Sequence, residues 1–513
     1  MDYRLPLFVI IPLGAAFLIP LLAKLFKRAG EWMAVLSLLA LSGLAVYFVF
    51  LEKGARVYEV GGWRPLDGIP IGIYMVLDGL SIYLLLVINL IGFLSAFYSL
   101  SYMKKFTAES LYYTLFMLMI AGMNGLVLSG DIFNLFVFME IAAIASYALV
   151  AFGIEKEELE ASFKYQVLGG ISSLLILLAI GLLYWQSGTL NLADLADVLR
   201  TNSNPVFSLF IQTLLIAGFG LKTAMFPFHA WLPDAHSSAP SPISSMLSGV
   251  LIKAIGAYVL MRLFFNIFAL SYDIALVLAI IGTLSMVIGV LLAVGQWDFK
   301  RLLAYHSISQ MGYVVVGVAM GMMILARNGD LQVASLAIAG GLFHLMNHAV
   351  FKSLLFLNAG AVEYAVGTRN MKDMGGLADK MPVTAATSLS ASMAISGIPP
   401  FNGFFSKLII IIAAVQAGYY VLAFLAVFTS IITLASFLKM QRFTFYNKIK
   451  SSWNGTTEVR EAPFSMLFSM VVLAVLCLAL SLLAIPSVRD AVLTPAVNAL
   501  LQAGGYGTVI LGK

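Results

Sequence analysis

Of 513 residues, 61% are hydrophobic and only 11% charged, where soluble domains carry about a quarter charged residues; with a mean hydropathy of +0.97, this excludes an ordinary soluble protein. A formal net charge of +5 is small for this length and gives no reason to expect a nucleic-acid partner. The one cysteine, Cys477, lies in an apolar run and excludes an internal disulfide or a four-thiolate metal site, so the chain holds no iron–sulfur cluster by itself.

In chain order, apolar segments long enough to cross a ~30 Å hydrocarbon core at ~1.5 Å per residue recur about fourteen times. They cover 4–26, 32–51, 77–101, 110–130, 132–153, 162–186, 206–238 (broken), 242–267, 273–296, 301–324, 331–358, 383–417 (broken), 419–441 and 463–485. The first, in MDYRLPLFVIIPLGAAFLIPLLAKLF, lacks a basic leader and a small-residue cleavage site, so it reads as a membrane helix rather than a signal peptide. Between the second and third, ARVYEVGGWRPLDGIPIGIYM alternates apolar and polar residues around Gly61, Gly62 and Pro65, the pattern of a short external hairpin. The acidic run EKEELE, 155–160, reads as a solvated loop or as a contact with another subunit. Residues 190–202 have helical periodicity with Asp194 and Asp197 on one side, which predicts a short surface helix. Alternate loops collect Lys24, Lys27 and Arg28; Lys104 and Lys105; Lys300 and Arg301; Arg369, Lys372 and Lys380; and Arg442, Lys448 and Lys450. These loops are expected to face the cytoplasm, with both termini outside a multi-pass cell-membrane protein.

Several ionisable residues fall inside the predicted spans: Asp78, Glu140, Lys222, Lys253, His306, His344, His348, Lys352 and Lys407. A Lys or Asp near a helix centre costs about 2.5 to 3.5 kcal/mol on insertion scales, so each asks for a reason. Snorkelling, capping or a static pair suits Asp78, at the start of its helix, and Lys352, near the predicted end of its own. For Glu140, Lys222 and Lys253 the apolar flanks leave little reach to the interface, and function is the better reading. All five histidines, His229, His236, His306, His344 and His348, sit in or beside these polar segments. A neutral imidazole can accept and donate a proton near neutral pH, which suits a relay; structurally satisfied histidines are the alternative. His344 and His348 also have an i, i+4 spacing used for zinc, but GLFHLMNHAVFKS supplies Asn347 and Lys352 rather than a nearby carboxylate.

Two spans carry helix breakers. In GFGLKTAMFPFHAWLPDAH, 218–236, Pro227 has no amide hydrogen, so the carbonyl of Thr223 is expected to lose its helical partner. His229, Asp234 and His236 follow the break as supporting polar residues. In ISGIPPFNGFFSK, Pro399 and Pro400 are expected to free the carbonyls of Ile395 and Ser396, with Lys407 following. A break persists in a membrane only where protein or water satisfies the freed groups. Two proline-broken segments with nearby lysines, at corresponding places in two halves, fit inverted-repeat transporters. The fold class expected is therefore an all-α polytopic membrane protein of about fourteen helices with two inverted five-helix repeats. Its expected divisions are 1–105 for three N-terminal helices and the hairpin, 106–268 and 269–445 for the repeats, and 446–513 for a C-terminal loop, last helix and tail.

The segments FPFHAWLPDAHSSAPSPISS, KRLLAYHSISQMGYVVVG, HLMNHAVFKSLLFLNAGA and GIPPFNGFFSK occur in this order. Through them the chain, over residues 75–445, resembles the antiporter-like subunits of respiratory complex I and the D subunit of Mrp cation/proton antiporters. It resembles especially the Mrp-D-type H subunit of archaeal membrane-bound hydrogenases and sulfane reductases. The resemblance implies a proton-translocating module in which Glu140 and Lys222 are a pair, Lys253 a central lysine and Lys407 the terminal charge. It implies no cofactor in this chain, and iron–sulfur clusters, with nickel–iron in the hydrogenase case, in peripheral redox partners. Other antiporter-like and small Mrp-type membrane subunits are implied as neighbours, and protons, with Na+ in some assemblies, as the ions moved.

The tail at 486–513 is too short for the long lateral helix of one complex I subunit, and no cysteine cluster, dinucleotide fingerprint or quinone-pocket signature is present, so redox catalysis is expected to belong to partners. Two other classes compete. A self-sufficient transporter of an organic solute would need a substrate-sized midplane pocket; an inert scaffold would gain stability by replacing its buried charges with apolar residues.

Overall fold

The computed structural model describes residues 2–502 except 27, 53, 66–68, 202–203 and 449–458. Lys27, Lys450, the hairpin residues 66–68, the end of the 190–202 segment and the tail from 503 onward therefore lie outside the described residues. Among those described, nineteen helices form the chain and thirteen are long and apolar enough to cross a membrane. Helices prevail because a spanning segment must satisfy its backbone hydrogen bonds internally.

The first three spans are α1 (Leu7–Leu25), α2 (Ala29–Phe50) and α3 (Gly79–Tyr102). The predicted hairpin lies between the last two, as β1 (Arg56–Glu59) paired antiparallel with β2 (Tyr74–Leu77), Arg56 opposite Leu77. Arg4 ties this end together by binding Asp2 at 2.7 Å and Glu52 at 2.6 Å, while Arg56 reaches Glu52 at 2.8 Å. The Arg4 guanidinium hydrogen-bonded to Asp2 holds that carboxyl below its usual range.

Next come α4 (Glu109–Leu128), α5 (Ile132–Val150), α6 (Lys156–Ser187), the short α7 (Leu192–Thr201), α8 (Pro205–Thr223), α9 (Trp231–Ser238) and α10 (Ser241–Ile267). The predicted surface helix is α7, which buries Leu192, Leu195 and Leu199 on the face away from its aspartates. After these follow α11 (Tyr272–Val294), α12 (Phe299–Ala326), α13 (Leu331–Val366), α14 (Pro382–Ser396), α15 (Asn402–Gln416) and α16 (Tyr420–Tyr446). The chain closes with α17 (Phe464–Ala484), α18 (Pro486–Val492) and α19 (Thr494–Leu501). Helices α14 and α15, 15 residues each, are too short to cross alone at ~1.5 Å per residue. Together they are the broken segment expected at 383–417, the fourteenth of the set.

Counted from α4, the fourth of five crossing segments is the broken pair α8 and α9; counted from α11, the fourth of five is the broken pair α14 and α15. Five crossings is an odd number, so two such groups in succession start from opposite sides, which is the topology of an inverted repeat.

The sequence assigns static roles to two charged residues, and the structure divides them. Asp78 caps α3, accepting from the amides of Leu80 and Ser81, and takes a bidentate pair from Arg262 of α10 at 2.6 and 2.8 Å. Arg262, almost fully buried, is missing from the intramembrane charges read from the sequence. Lys352 contradicts its reading: α13 continues to Val366 instead of stopping at 358, so this lysine is not near a helix end. It is fully buried and donates to the Leu303 carbonyl of α12 at 2.5 Å.

Candidate ion-transfer site

The first break starts earlier than Pro227 alone requires. Helix α8 ends at Thr223 because Ala224 takes a left-handed conformation, φ 54°. The Ala224 amide still reaches the Gly220 and Leu221 carbonyls; Gly220 C=O accepts in addition from the Met225 amide at 3.0 Å, and Leu221 C=O from the Trp231 indole N–H at 3.0 Å. The Phe226–Pro227 peptide is cis, and the Phe226 amide donates to Ser285 Oγ of α11 at 2.9 Å. Side chains therefore satisfy what the broken helix cannot, as burial demands.

Lys222 sits one residue before that end, its side chain 2% exposed. Its Nζ lies 3.3 Å from Glu140 Oε1, 3.1 Å from Ser173 Oγ and 3.4 Å from the Tyr147 hydroxyl. Ser173 also donates to Glu140 Oε1 at 2.6 Å, so one hydroxyl bridges acid and base.

From here α8 packs against the Lys253–Ala257 stretch of α10, where Gly256 lets the backbone approach Thr223. Helix α10 is interrupted by π-helical turns at Leu247–Leu251, Lys253–Ala257 and Leu263–Ile267, a feature frequent at functional sites. Lys253 is fully buried and donates to Ser248 C=O at 2.5 Å, while Ser248 Oγ meets Ser307 Oγ at 2.6 Å. His348 is fully buried on α13, and neither of its ring nitrogens meets a hydrogen-bond partner among the described residues. One turn away on α13, His344 bonds Ser406 Oγ at 3.0 Å and Gln310 Oε1 at 3.2 Å. Its ring lies 5.3 Å from that of Tyr313, over which Lys407 Nζ sits at 4.9 Å. His344, Tyr313 and Lys407 are thus in contact, with His348 one turn from His344 on α13 and Lys253 fully buried on α10.

The second break has the chemistry its sequence foretold. Gly397 takes φ 79° at the end of α14, and the Pro399–Pro400 peptide is cis. Ile395 C=O accepts from Lys407 Nζ at 2.7 Å and Ser396 C=O from Ser430 Oγ at 2.8 Å, with Lys407 and Ser430 3.2 Å apart. These are the two carbonyls that Pro399 and Pro400 cannot satisfy. At the start of α15, a Cβ on Gly403 would fall on the Ala394 carbonyl oxygen. Gly403→Ala is therefore expected to destabilise the assembled protein by about 1 to 3 kcal/mol, read as a lower melting temperature in detergent.

Other candidates stand apart from this line. His306 bonds Ser436 Oγ at 2.8 Å, its ring 4.7 Å from that of Phe437. His229 lies in the first break with its ring 5.4 Å from Phe226. Asp234 binds Arg301 at 2.7 Å and Lys164 at 3.1 Å, and His236 stacks on Phe356 at 4.6 Å. The acidic run is neither a plain solvated loop nor free for a partner throughout: Glu155 and Glu158 form the capping box of α6, Glu160 binds Lys164 and Glu157 binds Arg369. Among the described residues no three His, Cys, Asp or Glu side chains come together to hold a metal. The sequence reading missed Ser173, Tyr147 and Ser248. Ser173 and Ser248 carried a signal, each being polar in an apolar run of a predicted span, GGISSLLILLAIG and SSMLSGVLIKAIG.

A family model described as NADH:quinone oxidoreductase/Mrp antiporter, TM, matches residues 129–433, and one described as NADH-Ubiquinone oxidoreductase (complex I), chain 5 N-terminus, matches 63–113. The chain therefore belongs to the family of antiporter-like membrane subunits that NADH:quinone oxidoreductases and Mrp antiporters share. It is 34% identical over 86% of its length to the N subunit of the NADH-quinone oxidoreductase of Desulforudis audaxviator, of which it covers 86%. It is 33% identical over 86% of its length to the D subunit of the Na(+)/H(+) antiporter of Alkalihalophilus pseudofirmus, covering 87% of that protein. A chain in the structure of the membrane-bound sulfane sulfur reductase, an archaeal respiratory membrane complex, superposes with a TM-score of 0.87 at 30% identity, covering 99% of this chain and 100% of that one.

Proposed function

We propose that this chain moves protons through the membrane as one subunit of a larger complex, with Glu140 and Lys222 as the exchange pair, Lys253, His348 and His344 as the relay and Lys407 as the terminal charge. The observation that carries this reading is Lys222, an ammonium 2% exposed, shared between a carboxylate and two hydroxyls and followed inward by further buried lysines. His306 lies beside this route, with Pro227, Pro399 and Pro400 making the breaks and His229, Asp234 and His236 supporting the first. The proton is taken up near Lys222 from the cytoplasmic side, passes Lys253 and the histidines, and leaves by way of Lys407.

The basic loops support a cell-membrane location with both termini outside. Similarity to a sulfane reductase chain and to the N and D subunits supports membrane neighbours of the antiporter-like and small Mrp type. The preferred driving force is ferredoxin-linked redox chemistry in peripheral hydrogenase-type or sulfane-reductase-type subunits, which would hold the iron–sulfur clusters and any nickel–iron centre. A second reading, the D subunit of an Mrp Na+/H+ antiporter, is favoured by the 33% identity to a protein of that kind. Gentle purification of the native complex, with mass spectrometry and analysis for nickel and iron, separates them. Iron-bearing redox subunits are expected; small membrane subunits without metal would replace the redox reading by the antiporter one.

A further inference from the structure

The Glu140–Lys222 pair has a layer of aromatic rings on one side. The Tyr147 ring, whose hydroxyl touches Lys222, meets Tyr165 edge-on at 4.5 Å and 87°, and Tyr165 stacks on Trp231 at 4.1 Å and 4°. All three residues are buried. Each is pinned at its polar end: Tyr147 at Lys222, Tyr165 at Ser146 Oγ (3.0 Å), Trp231 at Leu221 C=O (3.0 Å). Beyond the rings lies a solvent-reached cluster in which Asp234, one turn after Trp231 on α9, binds Lys164 and Arg301, themselves 47% and 38% exposed. On α6, Lys164 adjoins Tyr165, and Ser173, half-buried beside the Glu140–Lys222 pair, lies two turns further along, about 12 Å at the helical rise. Helix α5 repeats the order from the other direction, with Glu140 two turns before Tyr147 and the helix end at Val150. The rings therefore occupy the level between the water-reached ion pairs and the buried lysine.

We propose that Tyr147, Tyr165 and Trp231 form an access gate between the Glu140–Lys222 pair and the aqueous face at Asp234, and that Asp234 is the positioning residue that holds it shut. The assignment rests on reading Lys222 as a proton-exchange site. Stacked rings exclude the water a proton needs, so a proton crosses only when Tyr147 or Trp231 swings aside. Asp234, clamped to α6 by Lys164 and to α12 by Arg301, fixes the start of α9 and with it the indole. Movement of α12 relative to α6 is transmitted to the gate through this carboxylate.

The test is chemical access, which does not depend on transport. Ser173→Cys, in the intact complex in sealed membrane vesicles, reports access through its reaction with a charged, membrane-impermeant methanethiosulfonate; the native Cys477 is buried, and the parent complex gives the background. Labelling is expected to be slow in the reporter alone and about tenfold faster, from the Asp234 side only, when Trp231→Ala is added. Trp231→Phe, which keeps a stacking ring, is expected to restore the slow rate. Asp234→Asn, at a half-buried position and of the same size, is expected to accelerate labelling several-fold. Fast labelling in the reporter alone, or unchanged rates in both Trp231→Ala and Asp234→Asn, would overturn the gate. Normal transport by Lys222→Ala would instead overturn the exchange-site reading on which it rests.

Discussion

Lys222→Ala is expected to lower proton translocation by the assembled complex by about 10²-fold or more, the scale of losing a positioned acid–base group, with the set of subunits unchanged. The side chain has three polar neighbours, Glu140, Ser173 and Tyr147. Its removal leaves Ser173 still bonded to Glu140 at 2.6 Å, so the carboxylate keeps a donor and the fold keeps its core. Lys222→Arg makes the comparison sharper. Arginine keeps the positive charge beside Glu140 but does not give up its proton in proteins. A static ion pair would survive that change, whereas an exchange site would not. Proton flux in reconstituted vesicles, read beside native gels of the assembled complex, distinguishes the two.

The largest stability effect is expected at the other end of α10. Arg262→Ala leaves Asp78 buried without its bidentate partner, and loss of one member of a buried pair costs about 3 to 5 kcal/mol. Asn266 donates to the Ala499 carbonyl at 2.8 Å and accepts from Arg262 at 3.1 Å, so the C-terminal helix α19 is expected to loosen as well. Replacing both partners, Asp78→Asn with Arg262→Met, removes the stranded charge and is expected to recover much of the loss. Thermal melting of the detergent-solubilised complex checks the order: wild type, double variant, then Arg262→Ala.

Much of the architecture was legible because membrane helices announce themselves by length and apolarity, and the two breaks because proline removes a specific hydrogen bond. At Pro399 and Pro400 that reasoning named the two carbonyls that Lys407 and Ser430 go on to satisfy. It worked less well at Pro227, where Ala224 turns left-handed and ends the helix at Thr223, before the missing amide requires. Proline alone is also no guide, since Pro12 and Pro20 lie inside an uninterrupted α1. The difference is tertiary: at the breaks, distant side chains such as Trp231 and Ser430 supply donors to the freed carbonyls. The same dependence hid Tyr147 and Arg262, whose partners Lys222 and Asp78 lie tens of residues away in sequence. Lys352 was misplaced for a simpler reason. Apolarity fades after 358, but α13 continues through NAGAVEYAV to Val366, and Glu363 there pairs with Lys300 at 2.6 Å.

Lys253 offers the most direct test of the central claim that protons cross through this chain. Its Nζ donates to a carbonyl, Ser248 C=O, and Lys253→Met replaces a costly buried polar group with an apolar side chain of similar length, so assembly is expected to persist. The measurement is the pH change inside proteoliposomes holding the intact complex, energised by its own redox substrates or by a sodium gradient. The account predicts that Lys253→Met retains its partner subunits but no longer builds the proton gradient that the wild type builds. A gradient equal to the wild type's under the same driving force would contradict it.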